Sequence, residues 1–266
     1  MARNRTENCP DLSGLLVPVN PLMLAVEQAV LRNHWPIQTP ASLPEQIAAR
    51  LAGVITLDLV HAGQRLLEQD VSKVLQVSRA PVREALRMLE RDRLVEFVPR
   101  RGALVTAPTA AELRDVYAVR LTLYAMLMRQ LMAERPADLE TVFDQFIPEV
   151  ARAARESVDA YAVETFLFNF AIADLCSNRL LVDLLQSISL RTLRYVRLGL
   201  ASAPSGLPRY LKSWRALHAA IVDRDTERAV EKVISRISQV RDAATGYLGE
   251  VKNGPPTGLR LVDASA

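Results

Sequence analysis

The apolar spacing of this sequence changes period twice, and that change limits the folds open to it. From Ser42 to Leu94 apolar residues recur at helical spacing, beginning with Leu43, Ile47, Leu51, Val54 and Ile55, and Ser42 and Glu45 are placed as a capping box ahead of "DLVHAG". Over "VEFVP" and "ALVTA" the period drops to two, which predicts two short strands joined by Arg100-Arg101-Gly102. After the break "TAPTAAE", Thr106 to Glu112, no strand signal returns. Helical spacing instead predicts about six helices, Ala110–Ala133, Asp138–Arg155, Val158–Cys176, Arg179–Leu200, Pro208–Asp223 and Asp225–Gly249, with Gly199 to Pro208 as the one loop of any length. The expected class is mainly α.

Two short helices precede the strands. The first, Glu68 to Leu75, carries Val71, Val74 and Leu75 and ends at a Gln76-Val77 turn. Ser78 is placed to cap the second, and Pro81 lies in its first turn, where a missing N–H costs nothing. Two short helices across a turn of about three or four residues have the spacing of a helix-turn-helix, and the strands behind them read as a wing. The expected architecture is thus an N-terminal winged helix-turn-helix followed by an all-α helical bundle.

The second short helix, "SRAPVREALRMLERDRL", sets Arg79, Arg83, Arg87 and Arg91 four residues apart beside an apolar series, Val82, Ala85, Leu86 and Leu89. Such a face is either solvated or built to meet a polyanion. The net charge is only +3 and the pI about 9.0, but the seven arginines between Arg79 and Arg101 stand against four carboxylates, so this stretch holds the whole excess. Its neighbours favour the polyanion: a preceding helix and turn, a helix start directed outward at Ser78, and a basic glycine turn just beyond. The major groove of B-DNA admits one helix whose N-terminal side chains reach base edges. Arg79 and Arg83 are the candidates for guanine or adjacent phosphates, Ser78 for a phosphate and Arg87 for backbone or solvent; Arg100, Arg101 and Gly102 are placed for a wing at the minor groove. Arg65, ahead of the first short helix, and Gln69, in its first turn, complete the candidate DNA-binding set.

Other classes fit poorly. With 266 residues, half of them hydrophobic, the chain is long enough for about two domains. The expected division is an extension over 1–40 with a short helix at Leu22 to Asn33, a DNA-binding domain over 41–108, a helical domain over 109–250 and a flexible tail over 251–266. Cys9 and Cys176 make neither a disulfide framework nor a cysteine-rich zinc site, and a cytoplasmic location is expected. The apolar patch near the start is interrupted by Glu7, Asp11, Pro18, Asn20 and Pro21, so no signal peptide is expected, and no apolar run reaches the roughly 20 residues of a membrane span. No phosphate loop, nucleophile elbow or metal cluster marks an enzyme, and no catalytic residue or cofactor is expected. A DNA-binding architectural or interaction factor with no effector response is the alternative class.

The run "LLEQDVSKVLQVSRAPVREALRMLERDRLVEFVPRRGALV" resembles the winged helix-turn-helix of the GntR superfamily of bacterial transcription regulators over about Leu43 to Val105. It departs from that pattern at Gln69, where many members carry a DNA-contacting Arg, and at Gln76, where a Gly usually sits. The segments "DVYAVRLTLYAMLMRQLMAER", "FNFAIADLCSNRLLVDLL" and "WRALHAAIVDRDTERAVEKVISRI" resemble the FCD-type effector domain of the FadR branch. That resemblance implies a homodimer on a near-palindromic double-stranded DNA operator, with a helical bundle that binds a small effector.

Many such domains hold a divalent metal with one Asp and three His; here Thr165, Asn169, Trp214 and Arg236 fall at those positions. The chain's three histidines are His34, His61 and His218, and only the last lies in this domain, so no bound metal is expected. The expected effector site is Arg120, Asn169, Trp214 and Arg236, with the two arginines facing a small anionic metabolite such as a carboxylate. The competing reading makes Arg236 a bundle ion pair and Trp214 core. His218, one turn after Trp214, reads as an interior histidine rather than a base.

Overall fold

The computed structural model describes residues 9–12, 14–16, 21–34 and 41–252. The expected tail over 251–266 therefore lies outside the described residues apart from the last helical positions. The chain divides into two compact units, one built from the chain up to Ala107 together with Asp159–Arg194, the other from Pro108–Val158 together with the chain from Tyr195 onward.

The first unit opens with helix α1 (Pro21–His34), which packs on α2 (Leu43–Thr56). Met23, Val26, Ala29 and Val30 are buried on α1, and an ion pair joins Arg50 to Glu27. The expected capping box is present at Ser42 and Glu45, and Ile47, Leu51, Val54 and Ile55 are buried. Leu43 is exposed instead, because it opens the first turn before the helix reaches its packing partners. Asp58 follows α2 in the left-handed region, at φ 58°.

Strand β1 (Arg65–Leu66), α3 (Glu68–Leu75), α4 (Arg79–Arg91), β2 (Val95–Val98) and β3 (Gly102–Val105) come next. The sheet has three strands in the order β1-β3-β2, all antiparallel, so the wing holds one strand more than the alternation predicted. A strand of two residues leaves no period to detect. On α4 the four residues Val82, Ala85, Leu86 and Leu89 are fully buried against α2 and β2. Burying a Leu or Val side chain contributes about 1.5–3 kcal/mol, which pins this face down and leaves the arginine face outward. The remainder of this unit is α7 (Val158–Asp174) and the first part of α8 (Arg179–Ser202). Cys176 is buried just past the end of α7 rather than within it.

The second unit holds α5 (Ala110–Glu134), α6 (Pro136–Glu156), the end of α8, α9 (Leu207–Val222) and α10 (Thr226–Lys252). The helix α10 packs along α5 and α9, and α6 packs on α9. Thr109 and Glu112 form a capping box, so α5 begins inside the stretch read as a linker. The predicted loop from Gly199 is also shorter: α8 runs on to Ser202, and only a 3-10 turn at Pro204–Gly206 separates it from α9. The reason is packing. A Cβ on Gly199 would lie 2.5 Å from the Ala243 carbonyl carbon, so glycine here permits close approach to α10 rather than a turn. The chain is mainly α, and among the described residues no helix is long and apolar enough to cross a membrane.

Candidate nucleic-acid interface and effector pocket

The turn between α3 and α4 is made by Gln76, which adopts φ 54°; its N–H points to the Lys73 carbonyl, and the Val77 N–H donates to the Ser72 carbonyl at 3.0 Å. A non-glycine side chain there costs roughly 1–2 kcal/mol, which accounts for the glycine usual at this position. Ser78 stands at the N-cap of α4 with extended backbone, φ −70° and ψ 164°, as expected. Its hydroxyl makes no capping hydrogen bond and the residue is exposed. The expected cap is therefore positional only, and the hydroxyl is available to an outside acceptor.

From this start α4 displays Arg79, Arg83 and Arg87. Arg83 donates from Nε to Glu68 Oε1 and from Nη2 to Glu68 Oε2, both at 2.8 Å. That fork holds the Glu68 carboxyl below the usual carboxylate range, with the charges of Arg79 and Arg87 acting the same way, and raises Arg83 further. Glu68 is the residue that sequence reasoning missed, because its partner lies in another helix 15 positions away. Arg87 is drawn to the other end of α4: it donates from Nη1 to Glu90 Oε2 at 2.8 Å and its guanidinium lies 4.0 Å over the Phe97 ring. Glu90 in turn accepts from the Phe97 N–H at 3.3 Å, and its carboxyl is lowered chiefly by Arg87. Arg87 thus joins α4 to β2, with half of its side chain still exposed.

The wing pairs Val95↔Val105, Glu96↔Leu104, Phe97↔Ala103 and Val98↔Gly102. Its tip is Pro99-Arg100-Arg101, with the Arg101 N–H bonded to the Val98 carbonyl at 3.0 Å and Arg100 at φ 64°. Gly102 was expected in the turn but is the first residue of β3, and its φ of 81° is the conformation that calls for glycine. Arg100 and Arg101 are both exposed. Gln69 is exposed on α3, whereas Arg65 is half-buried on β1 opposite Leu104, with its Nε buried and without a hydrogen-bond partner.

In the second unit Arg236 on α10 lies over the ring of Trp214 on α9, 3.6 Å from its centroid. Phe143 on α6 meets Trp214 edge-on at 6.0 Å and stacks on His218 at 5.7 Å. His218 Nε2 is 3.1 Å from Asp144 Oδ1, as suits an interior histidine with a partner. Arg120 on α5 sits between Tyr117 and Tyr124, 5.7 and 5.4 Å from their ring centroids. Arg120, Trp214 and Arg236 are all buried. Asn169 belongs to the first unit, on α7, where its amide donates to the Thr165 carbonyl at 2.6 Å. Among the described residues no group of three or more His, Cys, Asp or Glu is placed to hold a metal ion.

Comparison with known proteins agrees with this geometry. The family described as "Bacterial regulatory proteins, gntR family" matches residues 43–105, and the FCD domain matches residues 115–238. The HTH-type transcriptional regulator BphR of Paraburkholderia xenovorans (strain LB400) is 29% identical over 218 residues, 77% of this chain and 88% of that protein. The gluconate operon transcriptional repressor of Bacillus licheniformis is 26% identical over 133 residues, 50% of this chain and 54% of that protein. Among solved structures, a transcriptional regulator GntR from Rhodococcus sp. RHA1 superposes with a TM-score of 0.66 at 25% identity, covering 79% of this chain and 99% of that one. E. coli McbR/YncC shares the fold, with a TM-score of 0.67 at 18% identity over 80% of this chain and all of that one. The chain is a member of the GntR family of bacterial DNA-binding transcriptional regulators, built from a GntR helix-turn-helix domain followed by an FCD domain.

Proposed function

We propose that this regulator binds a near-palindromic operator as a homodimer and responds to a small anionic metabolite, a carboxylate in the first instance, without a metal. The observation that carries the DNA half is the division of α4 into a fully buried apolar face and an exposed face with Arg79 and Arg83 near its start. A helix held this way presents its N-terminal side chains to base edges, with Ser78, Gln69 and the wing arginines beside phosphates. Arg87, tied to Glu90 and Phe97, takes a backbone contact, and Arg65 supports the wing from β1. A single helix-turn-helix covers one half-site, so twofold pairing doubles the contacts.

The sensing half rests on Arg236 and Arg120, two guanidinium groups buried in a bundle whose neighbouring walls are aromatic. The planar guanidinium fork matches a carboxylate in shape and charge, and the aromatic walls suit the apolar part of a small organic acid. Relatives include repressors of a gluconate operon, which supports repression as the sign of regulation here.

The test has two arms. Binding to the DNA upstream of the encoding locus, followed by fluorescence anisotropy, is expected to weaken about ten- to hundredfold for Arg83→Ala. A thermal-shift screen of organic acids is expected to find at least one that raises the melting temperature of the wild type and not of Arg236→Ala. A screen in which every acid is silent on the wild type removes the sensing half and leaves the DNA half standing.

A further inference from the structure

We propose that Glu68 is the positioning residue that turns Arg83 into a reader of one base pair: its carboxylate occupies the Nε–Nη2 edge of the guanidinium and presents the Nη1–Nη2 edge outward. This rests on the reading that Arg83 meets a base.

A guanidinium has five N–H donors arranged on a rigid plane. Glu68 takes two of them, the Nε–H and one Nη2–H, through two bonds of 2.8 Å. The remaining pair on the end edge is the one that fits guanine O6 and N7 as a bidentate contact. The side chain of Arg83 is otherwise long and solvent-exposed, and would sample many rotamers in the free protein. Anchored from α3, it keeps one orientation before DNA arrives, so less conformational freedom is lost on binding.

The charge balance points the same way. Glu68 lies within the field of Arg79, Arg83 and Arg87, on the face offered to phosphates. A carboxylate there opposes general attraction to any duplex, which makes it a poor choice for affinity alone. Held against Arg83, it neutralises one arginine's pull on phosphates and leaves that arginine's shape for reading. Glu68 therefore trades sequence-independent binding for discrimination.

The experiment uses the full chain, its operator, each single-base-pair variant of that operator and an unrelated duplex of equal length, with anisotropy over a range of salt concentrations. Variants are Glu68→Ala, Glu68→Gln and Arg83→Ala, each checked by thermal melting. For Glu68→Ala, affinity for the unrelated duplex is expected to rise severalfold, and the slope of log affinity against log salt to steepen by about one. Discrimination is expected to fall about tenfold or more at the base pair that Arg83→Ala also stops reading, and to stay unchanged elsewhere. Glu68→Gln, which keeps an acceptor for Nε, retains part of that discrimination. A Glu68→Ala protein that discriminates like the wild type, or loses affinity evenly at all positions, overturns the proposal while the base contact of Arg83 stands. If Arg83→Ala itself keeps full discrimination, the base contact and the proposal fall together.

Discussion

The candidate arginines of the two units occupy opposite environments, and the contrast separates side chains open to an outside anion from side chains built into the fold. Arg83 on α4 has 63% of its side chain exposed, whereas Arg120 and Arg236 in the second unit are only 6% and 5% exposed. An exposed guanidinium keeps most of its hydration, so its ion pair with Glu68 adds little to stability. A buried one has given up water and must be compensated by carboxylate, ring face or ligand, and its removal is felt by the fold. The same residue type is thus open to an outside anion in one place and part of the internal architecture in the other. Arg194 on α8 extends the second pattern to the first unit, where it pairs with Asp58 while only 7% of its side chain is exposed.

The largest expected effect comes from breaking that buried pair. Asp58→Asn keeps a side chain that tolerates φ 58° but removes the charge that Arg194 faces. Withdrawing one partner of a buried ion pair costs about 3–5 kcal/mol, to be read as a lower urea midpoint. A loss below about 1 kcal/mol would place this pair with the exposed class and erase the distinction. His61, whose Nδ1 is 3.3 Å from Asp58 Oδ1, is a weaker member of the same cluster because it is half-exposed.

A smaller effect should appear on DNA without a counterpart in stability. Arg83→Ala is expected to leave the urea midpoint near that of the wild type while operator affinity falls about ten- to hundredfold. A matching loss of stability would mean that Arg83 works as a brace for α3 and α4. Smaller again, Arg100→Ala and Arg101→Ala should each lower the salt dependence of binding by about one in log–log slope, with little change in base preference. A change confined to particular base pairs would assign the wing tip to reading rather than to phosphates.

The contrast also explains which parts were legible in the sequence. The helices α3 and α4 and the main wing strands were readable because their signals are local: apolar residues at 82, 85, 86 and 89, a proline at position 81, alternation around Gly102. The exposed arginines were readable for the same reason, through their spacing of four. What joins distant positions was not. The Glu68–Arg83 fork spans 15 residues and the Asp58–Arg194 pair spans 136, and neither leaves a periodic trace. Gly199 was read as a breaker because glycine in "GLASAPSG" carries the signal of a loop, yet its lack of a Cβ serves the crossing with α10. The placing of Arg236 over Trp214 came from register within a resemblance rather than from any pattern in these residues.

The smallest expected effect concerns acid. Glu68 and Glu90 both titrate below the usual carboxylate range, because Arg83 and Arg87 favour their charged forms. A carboxyl whose pKa is depressed on folding contributes stability that is fully present above its unfolded value and is lost as pH falls through the folded one. The window therefore opens near the unfolded Glu value of about 4.3 and extends downward. Urea midpoints of the wild type should fall more steeply through that window than those of Glu68→Gln, which has no carboxyl there to protonate. Both side chains are partly exposed, so the difference is a fraction of the Asp58→Asn effect and should shrink in high salt. Curves that run parallel at low ionic strength would mean that the fork on Arg83 does not persist in the free protein, and an Arg83 without its fork would meet DNA as a mobile charge.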